Sequence, residues 1–322
     1  MTLRWAGSHD SMRLRLLLAA VTTLGLGAGT PADLPLARPH VVRAAAPAAA
    51  PAAATVAPPA QEPPEPVVTG PPRPPEPAVE PAPLLTPLLT PLLTPLLAPR
   101  PVTVTVTGFL SWALLDRRTG TVTGSANAVS ARADTMSMVK IWITADFLRR
   151  LGSVPPSPDR LDELSRMIRD SDNDAAEDVY ELDGSDAVMR RMVSTCGLTE
   201  TTSVDGWWSR TGVSARDAVR LGACVADGRA AGPQWTDWLL GQMRQVRGEG
   251  RFGIVDALPP DVAPTAAIKN GWLLDDAGNW HVDCLAVLDD AVLSVLTVYP
   301  GGLGLGYGAG LCRQVTAQLR TR

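Results

Sequence analysis

Two residues three positions apart, Ser137 and Lys140, have side chains that together can do chemistry. At this spacing on a helix they lie on the same face, one turn from each other. An amine at that distance can accept the hydroxyl proton and turn a weak nucleophile into an effective one. The pair therefore predicts Ser137 as a nucleophile and Lys140 as its base, acting directly or through a water molecule.

The use of lysine elsewhere in the chain strengthens this interpretation. Of the 29 lysine and arginine residues, only Lys140 and Lys269 are lysines. Arginine stays protonated, whereas a buried lysine can lose its proton and act as a base. Lys140 begins an apolar run that continues to about Leu151, with apolar groups on every side of the predicted helix. Such a helix is buried, which predicts a desolvated amine with a lowered pKa.

The N-terminus is typical of an export signal. Arg13 and Arg15 precede an apolar run from Leu16 to Gly27, and small residues follow it. We assign residues 1–32 to the signal, with Met12 as an alternative start. The apolar run is short for a spanning helix, so we favour cleavage over an uncleaved membrane tether. No cysteine follows the run, which argues against a lipid anchor on cysteine.

The next segment, residues 33–101, is rich in alanine and proline. Of the 30 prolines, 22 lie between Pro31 and Pro101. Proline at this density prevents helix and sheet and favours an extended backbone. We therefore predict a disordered stalk, followed by one folded domain over residues 102–322 that is large enough for a sizeable core.

The folded part shows strands at both ends and helices in between. Strand patterns cover residues 102–106, 109–115, 121–123, 267–272, 280–288 and 292–298, and helix patterns cover 137–151, 158–170, 174–180, 185–196, 215–227, 235–246 and 308–320. This order predicts an α/β fold of the α+β type. Its antiparallel sheet would be built from both ends of the chain and flanked by helices, with a helical middle subdomain.

The four cysteines fit an exported domain with disulfides. Four cysteines allow three pairings. We prefer Cys196–Cys224 and Cys284–Cys312, because each bond would join neighbouring segments of one substructure and stabilise the fold by roughly 3 kcal/mol. Four free buried thiols are the alternative if the chain is not exported. The sequence has no C-x-x-C motif, so we predict no metal site.

Several other function classes are disfavoured. The net charge is −4 and no basic run is present, so we expect no nucleic-acid partner. A Ser-His-Asp triad is nearly excluded, because His281 is the single histidine in the folded part. No phosphate-binding loop of the G-x-x-x-x-G-K type occurs, and we predict no cofactor.

Three short motifs stand in order along the chain: Ser137-Met138-Val139-Lys140, Ser171-Asp172-Asn173 and Lys269-Asn270-Gly271. They resemble the penicillin-recognising serine enzymes, the superfamily of β-lactamases and D-alanyl-D-alanine peptidases, which carry S-x-x-K, S-D-N and K-T-G in this order. The resemblance extends from about Val102 to the end of the chain. The run at residues 251–254, a leucine-proline pair and Trp272 after the third motif are most similar to the class A β-lactamase branch.

The resemblance implies catalytic roles for Ser137, Lys140, Ser171 and Lys269, and substrate-binding roles for Asn173, Asn270, Gly271 and Trp272. Ser137 would be acylated, and Ser171 would pass a proton to the leaving nitrogen. Asn173 would hold the substrate amide. Lys269 would keep Ser171 poised, and it would attract a substrate carboxylate that Asn270 binds. The backbone N–H groups of Ser137 and Trp272 would form an oxyanion hole, and Asp172 would be structural.

Each motif also has an interpretation without chemistry. Ser137 alone fits a helix N-cap, Ser171-Asp172-Asn173 fits an ordinary turn, and Lys269 fits a surface strand position. Their joint occurrence in the expected order, together with the lysine usage, favours the enzymatic interpretation.

The sequence departs from the class A pattern in three places. The third motif has Asn270 in place of threonine, and the stretch between Lys140 and Ser171 is short, which reduces one wall of the cleft. The E-x-x-L-N loop with its water-activating glutamate is missing. Glu177, Glu181 and Glu200 are the available acids, and their contexts favour solvated charges. Slow hydrolysis of an acyl-enzyme is therefore expected.

These features predict a secreted or cell-envelope serine hydrolase, a monomer that acts on a D-alanyl peptide of peptidoglycan or on a β-lactam. A β-lactamase with a different water-activating group is one alternative. A non-catalytic wall-binding module on the same fold is the other.

Overall fold

An antiparallel sheet is the framework of residues 95–321, the part of the chain that this computed structural model describes. Its strands are β1 Phe109–Asp116, β2 Val122–Gly124, β5 Ala267–Ile268, β6 Gly271–Leu274, β7 Asn279–Val287 and β8 Ala291–Pro300. The order is β2-β1-β8-β7-β5, and β6 also pairs with β7. A separate pair joins β3 Ala133–Asp134 to β4 Gly212–Val213. The predicted signal and the predicted stalk up to residue 94 lie outside the described residues.

Seven helices pack around this sheet within residues 95–321. They are α1 Lys140–Leu151, α2 Pro158–Arg169, α3 Asn173–Leu182, α4 Asp186–Cys196, α5 Ala215–Ala226, α6 Thr236–Arg244 and α7 Leu305–Leu319. The predicted α+β fold, with a sheet from both ends of the chain and helices in the middle, is confirmed. In the described part of the chain, no helix combines the length and apolar character that crossing a membrane requires.

Helix α1 lies at the centre of the helical half, as its all-round apolar pattern predicts. Every residue from Lys140 to Leu148 is buried. The indole N–H of Trp142 donates to the carbonyl of Val188 on α4 at 2.8 Å, so even the polar atom of this large side chain has a partner. A buried helix gives its first residue, Lys140, a fixed position.

The predicted strand at residues 102–106 is wrong. This segment runs extended beside α7, where Gln318 accepts from the backbone N–H of Thr103 at 2.9 Å and donates to its carbonyl at 3.0 Å. The Tyr307 hydroxyl accepts from the backbone of Thr107 at 2.8 Å. Alternating valine and threonine fit a strand, but both edges of β1 are already paired with β2 and β8. Helix side chains therefore satisfy this backbone instead.

The folded unit also includes residues N-terminal to Val102. Leu97 is 3% exposed and forms an isolated antiparallel bridge with Arg320. The N–H of Ala98 donates to the carbonyl of Leu319 at 2.9 Å, and Thr321 donates to Leu96 at 3.1 Å. The last residues assigned to the stalk are thus tied to the end of α7.

Two disulfides join the pairs that the sequence analysis prefers. Cys196 at the end of α4 is bonded to Cys224 on α5, and Cys284 on β7 is bonded to Cys312 on α7. Gly253, at φ +83°, packs on the second bond, where an added Cβ would lie 2.7 Å from the sulfur of Cys284. This disulfide therefore supports the loop that runs past residue 250.

Two buried carboxyl groups and two partly exposed arginines tie α1, α4 and the end of α3 together. Arg191 donates to Asp146 at 2.6 Å and to Asp183 at 3.1 Å, and Arg150 pairs with Asp183 at 2.8 Å. Burial raises the pKa of Asp183 to about 7, and the adjacent carboxyl of Asp146 adds to the increase, while the arginines oppose it. The Asp183 carboxyl therefore keeps its proton through the acidic range.

This cluster predicts a pH dependence of stability. The folded protein keeps the Asp183 proton up to pH of about 7, whereas the unfolded chain releases it near 3.8. Protonated Asp183 therefore adds its full stabilising contribution to the unfolding free energy below pH 3.8. This contribution is lost progressively as pH rises from 3.8 to about 7. The Asp183→Asn side chain cannot release a proton, so its stability should not fall in this way. The free energy of unfolding of the variant minus that of wild type should therefore increase as pH rises from 3.8 to about 7.

Urea unfolding at a series of pH values measures the difference. Asp178→Asn, on the exposed side of α3, which ends next to Asp183, is the matched control and should parallel wild type. A constant difference between Asp183→Asn and wild type across the window would contradict the prediction.

Candidate active site

Ser137 lies in a single 3-10 turn, Met136–Val139, that leads directly into α1. The N-cap positions of the turn and of α1 are Thr135 and Val139, so Ser137 caps neither helix. Met136 has a φ of +46°, a conformation that a non-glycine residue adopts at a cost of about 1–3 kcal/mol. The strained backbone of Met136 holds the neighbouring, half-buried Ser137 in place, although Ser137 does not cap a helix. This indicates that the position of Ser137 serves another purpose.

The third motif packs against this turn through Gly271. A Cβ at Gly271 would lie 2.4 Å from the carbonyl oxygen of Thr135 and 3.0 Å from the backbone nitrogen of Ser137. No side chain fits in this space, which explains the glycine. The close approach brings the start of β6, and with it Trp272, next to the backbone of Ser137.

Ser171 connects the two lysines. Lys269 donates to its hydroxyl at 2.8 Å, and Lys140 donates to its carbonyl at 2.7 Å and lies 3.4 Å from its hydroxyl. Lys140 also donates to the side-chain oxygen of Asn173 at 2.6 Å. Ser171 has a φ of +60°, so it is strained as Met136 is. The three motifs therefore meet at one point.

Asp172 has the structural role that the resemblance implies. It is the N-cap of α3, where its carboxylate accepts from the backbone of Ala175 at 3.1 Å. It also pairs with Arg166 at 3.2 Å. These contacts fix the turn that carries Ser171 and Asn173.

The hydroxyl of Ser137 is not bonded to Lys140. Within residues 95–321 the amine of Lys140 is taken up by Ser171 and Asn173, and the Ser137 hydroxyl makes no hydrogen bond. The direct contact expected of a serine and its base is therefore missing in this arrangement. Transfer of the proton requires rotation of the serine hydroxyl or a bridging water molecule.

Burial makes both lysines unusual. Lys140 and Lys269 are each 0% exposed. Burial lowers the pKa of Lys140 well below its usual value, and the charge of Lys269 lowers it further, against the carboxylates of Asp172 and Asp174. Burial lowers the pKa of Lys269 to about 7. A neutral amine is thus available at neutral pH, which agrees with the prediction for Lys140 and excludes a surface position for Lys269.

A tryptophan ring lies over each lysine. The centre of the Trp208 ring is 5.3 Å from the Lys140 nitrogen, and that of Trp272 is 5.9 Å from the Lys269 nitrogen. The indole N–H of Trp208 donates to Glu177 at 2.9 Å. Sequence reasoning missed Trp208, because a tryptophan in an irregular loop carries no pattern that reveals what its ring covers.

Asn270 directs its amide nitrogen into the protein, so its carboxylate-binding role stays a prediction. Its side chain is 1% exposed, and its amide nitrogen donates to the carbonyls of Gly250 and Phe252 at 3.0 and 2.9 Å. Both N–H donors are therefore used within the protein. Asn270 holds the loop at residues 250–252 against Trp272, whose ring meets Phe252 edge-on at 5.8 Å.

The three available acids do not take the place of the missing glutamate. The prediction of a solvated charge is wrong for Glu200, which is 9% exposed, pairs with Arg216 and accepts from Ser214. Glu181 is exposed. Glu177 accepts from the indole of Trp208, whose ring packs over Lys140. No group of acidic, histidine or cysteine residues in the described part could hold a metal ion.

The structure thus brings together most of the residues chosen from the sequence. Ser137, Lys140, Ser171, Asn173, Lys269, Gly271 and the backbone of Trp272 surround one site. Asn270 is adjacent but directs its amide away from the site. His281 lies on β7 and bonds to Asp275 at 3.1 Å, as expected of a sheet residue.

Known structures share this architecture. A β-lactamase from Chitinophaga pinensis aligns with a TM-score of 0.54 and 14% identity, covering 65% of this chain and 92% of that one. A β-lactamase from Burkholderia vietnamiensis aligns with a TM-score of 0.54 and 16% identity, covering 66% of this chain and 89% of that one. The class A β-lactamase from Mycobacterium abscessus aligns with a TM-score of 0.52 and 15% identity, covering 66% of this chain and 92% of that one. The chain therefore has the class A β-lactamase fold.

Sequence comparison gives relatives of a different description. Proteins named "Putative lipoprotein LppW" from Mycobacterium bovis and Mycobacterium tuberculosis are 32% identical over 181 residues. The alignment covers 53% of this chain and 56% of each relative, so the chain spans about half the length of these curated relatives. No protein-family model matches the sequence.

The contact at Gly271 gives a testable stability difference. A Cβ at Gly271 must displace the backbone of Thr135, so Gly271→Ala should lower the free energy of unfolding by about 1–3 kcal/mol. Gly241→Ala on α6 is the matched control. It meets nothing within 4 Å and should raise the unfolding free energy by about 0.5–1 kcal/mol. Denaturant unfolding measures both, and equal effects of the two variants would contradict the assigned contact.

Proposed function

We propose that this protein is an exported serine hydrolase that forms an acyl-enzyme at Ser137 with a D-alanyl peptide or a β-lactam. The observation that carries the proposal is the convergence of two buried lysines on Ser171, next to the strained turn of Ser137. A structural serine needs neither two desolvated amines nor backbone strain. The class A β-lactamase fold supports the same reaction class.

The acylation step follows from these positions. The Ser137 oxygen attacks the carbonyl carbon of the amide, and its proton passes to neutral Lys140, directly or through water. The N–H groups of Ser137 and Trp272 stabilise the negative charge that develops on the carbonyl oxygen. When the carbon–nitrogen bond breaks, Ser171 gives its proton to the leaving nitrogen. Protonated Lys140 then returns a proton to Ser171, with Lys269 holding the Ser171 hydroxyl in place. The proton taken from Ser137 is thereby passed through Lys140 and Ser171 to the leaving nitrogen.

Recognition of a substrate carboxylate depends on Lys269 in this proposal. The amide of Asn270 is committed to Gly250 and Phe252, which leaves Lys269 and the hydroxyl of Ser171 as donors near the third motif. One donor fewer implies weaker binding of a carboxylate than a threonine at position 270 would allow. Asn173 would hold the amide of the acyl group.

The acyl-enzyme is expected to be long-lived. Hydrolysis requires a water molecule and a base beside the ester, and the indole of Trp208 packs over Lys140. Glu177 accepts a hydrogen bond from the N–H of this indole. Tryptophan cannot accept a proton, and the Lys140 amine is hydrogen-bonded to Ser171 and Asn173 instead of to a carboxylate. Stable acylation fits a peptidase-like reaction better than rapid β-lactam hydrolysis.

An extracytoplasmic location is part of the proposal. Two disulfides fit an oxidising compartment, and the relatives from Mycobacterium carry the word lipoprotein in their names. The predicted signal at residues 1–32 would deliver the domain there.

A fluorescent penicillin tests acylation. We expect covalent labelling of wild type, with Ser137→Ala unlabelled and Ser203→Ala, an exposed serine in a loop, labelled as wild type. Gel fluorescence and mass spectrometry of the labelled peptide measure this. If wild type and Ser137→Ala are equally unlabelled, acylation is refuted and the non-catalytic binding module becomes the better description. Rapid release of label from wild type would favour a β-lactamase.

The lifetime of the label tests the role of Trp208. Trp208→Ala admits water beside Lys140 and should shorten the half-life of the acyl-enzyme by at least about tenfold. Its neighbour Trp207→Ala is the control and should leave the half-life unchanged. If Glu177 supplies the base once the ring is gone, Glu177→Gln added to Trp208→Ala restores the long half-life. An unchanged half-life in folded Trp208→Ala would show that the indole does not protect the ester.

A further inference from the structure

Residues 95–98, which are bound to the end of α7, are the last copy of a tandem repeat. Pro-Leu-Leu-Thr occurs three times in succession and is followed by Pro-Leu-Leu-Ala, at residues 83–86, 87–90, 91–94 and 95–98. The described part of the chain begins at Pro95, so the structure shows one copy of the repeat in place. Three further copies of nearly the same sequence directly precede the bound one.

Backbone atoms of the bound copy make the hydrogen bonds that hold it. The N–H of Thr321 donates to the carbonyl of Leu96 at 3.1 Å, and the hydroxyl of Thr321 donates to the carbonyl of Pro95 at 2.7 Å. The N–H of Ala98 donates to the carbonyl of Leu319 at 2.9 Å. Every copy has these carbonyl and N–H groups at the same positions, so the hydrogen bonds do not distinguish one copy from another.

One side chain of the bound copy is selected by its size and polarity. Leu97 is 3% exposed and belongs to the hydrophobic core, while Leu96 packs against the core from a half-buried position. A site that buries leucine disfavours smaller or polar residues. The three earlier copies have leucine at the equivalent position, as Leu85, Leu89 and Leu93.

The other positions of the repeat are also compatible with an exchange of copies. Each copy begins with proline, and the contact uses only the proline carbonyl, so the missing N–H has no effect. Proline also follows each copy, because Pro99 follows the bound copy just as Pro95 follows the preceding one. The fourth position is the half-buried Ala98 here and threonine in the earlier copies, and threonine favours an extended backbone.

The connection from the bound copy to β1 can take up additional residues. Residues 99–101 are exposed and make no hydrogen bond to other residues of the described part. The next fixed point is Thr103, whose backbone pairs with the side chain of Gln318. Binding of the preceding copy would lengthen the connection at residues 99–102 from four residues to eight. Doubling a loop in this way lowers its probability of closure only about threefold.

We propose that the end of α7 is a docking site for the Pro-Leu-Leu-Thr repeats of this chain, which compete for it one at a time. A leucine of an earlier copy takes the place of Leu97, and Thr321 and Leu319 form the same backbone hydrogen bonds with that copy. Each step moves four residues from the segment before the domain into the connection to β1. The length of chain that precedes the domain therefore changes in steps of four residues while the domain stays folded.

Amide hydrogen exchange of the full chain, followed by NMR on protein labelled at threonine and alanine, tests this exchange of copies. The Thr321 amide has a partner whichever copy is bound, whereas the Ala98 amide is protected only when the fourth copy is bound. We expect Leu97→Ala to lower the protection of Thr321 only about threefold, because the preceding copy takes the site with a longer connection. The Thr94 amide, which is equivalent to that of Ala98, should gain protection in this variant as Ala98 loses it.

Two further variants complete the test. Leu93→Ala leaves the bound copy intact and is the matched control, so Thr321 and Ala98 should be as protected as in wild type. Replacing the leucines at positions 85, 89, 93 and 97 together by alanine leaves no copy with the required side chain. This four-leucine variant should lower the protection of Thr321 at least about thirtyfold.

Three results would overturn the proposal. If Leu97→Ala exposes the Thr321 amide as fully as the four-leucine variant does, the earlier copies do not take the site. If the four-leucine variant keeps Thr321 protected, leucine does not select the bound segment. If the protection of Thr321 in Leu97→Ala falls on dilution, the bound repeat comes from a second molecule and not from the same chain.

Discussion

The burial of two lysines against one serine is the constraint on which the site depends. An isolated ammonium group is expensive to bury, and two neighbouring ones cannot both stay charged in a dry site. One amine is therefore neutral near pH 7, since burial lowers both pKa values and the charge of Lys269 lowers the pKa of Lys140 further. In the proposed reaction, this electrostatic conflict is what would allow proton transfer among Ser137, Ser171 and the amines. Lys140 comes from the most buried helix, and Lys269 lies between β5 and β6 of the sheet.

The surrounding structure maintains this arrangement by close contact rather than by added charge. Gly271 allows β6 to touch the turn of Ser137, and Asp172 caps the helix that follows Ser171. Asn270 fastens the loop at residues 250–252, which in turn rests on the disulfide of Cys284 through Gly253. The strained backbone at positions 136 and 171 persists because these contacts leave no relaxed alternative.

The sequence allowed the fold and most of the site to be predicted, because its motifs specify atoms that must meet. Serine and lysine at helical spacing, and a glycine two positions after the second lysine, seldom occur together by chance. The direction of a side chain is not encoded in this way. Asn270 occupies the motif position but donates inward, and the ring of Trp208 lies over Lys140 without any motif to mark it. The Val-Thr alternation at residues 102–106 failed as a strand signal, because strand formation requires a free partner edge that no local pattern specifies.

The segment that enters the domain has a mechanical consequence. Residues 96–98 and the last turn of α7 exchange backbone hydrogen bonds at 2.9 and 3.1 Å, and Leu97 is buried beneath them. A pulling force applied at Pro95 therefore acts first on these backbone hydrogen bonds, and then on the contacts of Thr103 and Thr107 with α7. The chain enters β1 only at Phe109. A domain held at its N-terminus can thus open at these backbone hydrogen bonds and along α7 before force reaches the strands on either side of Lys269.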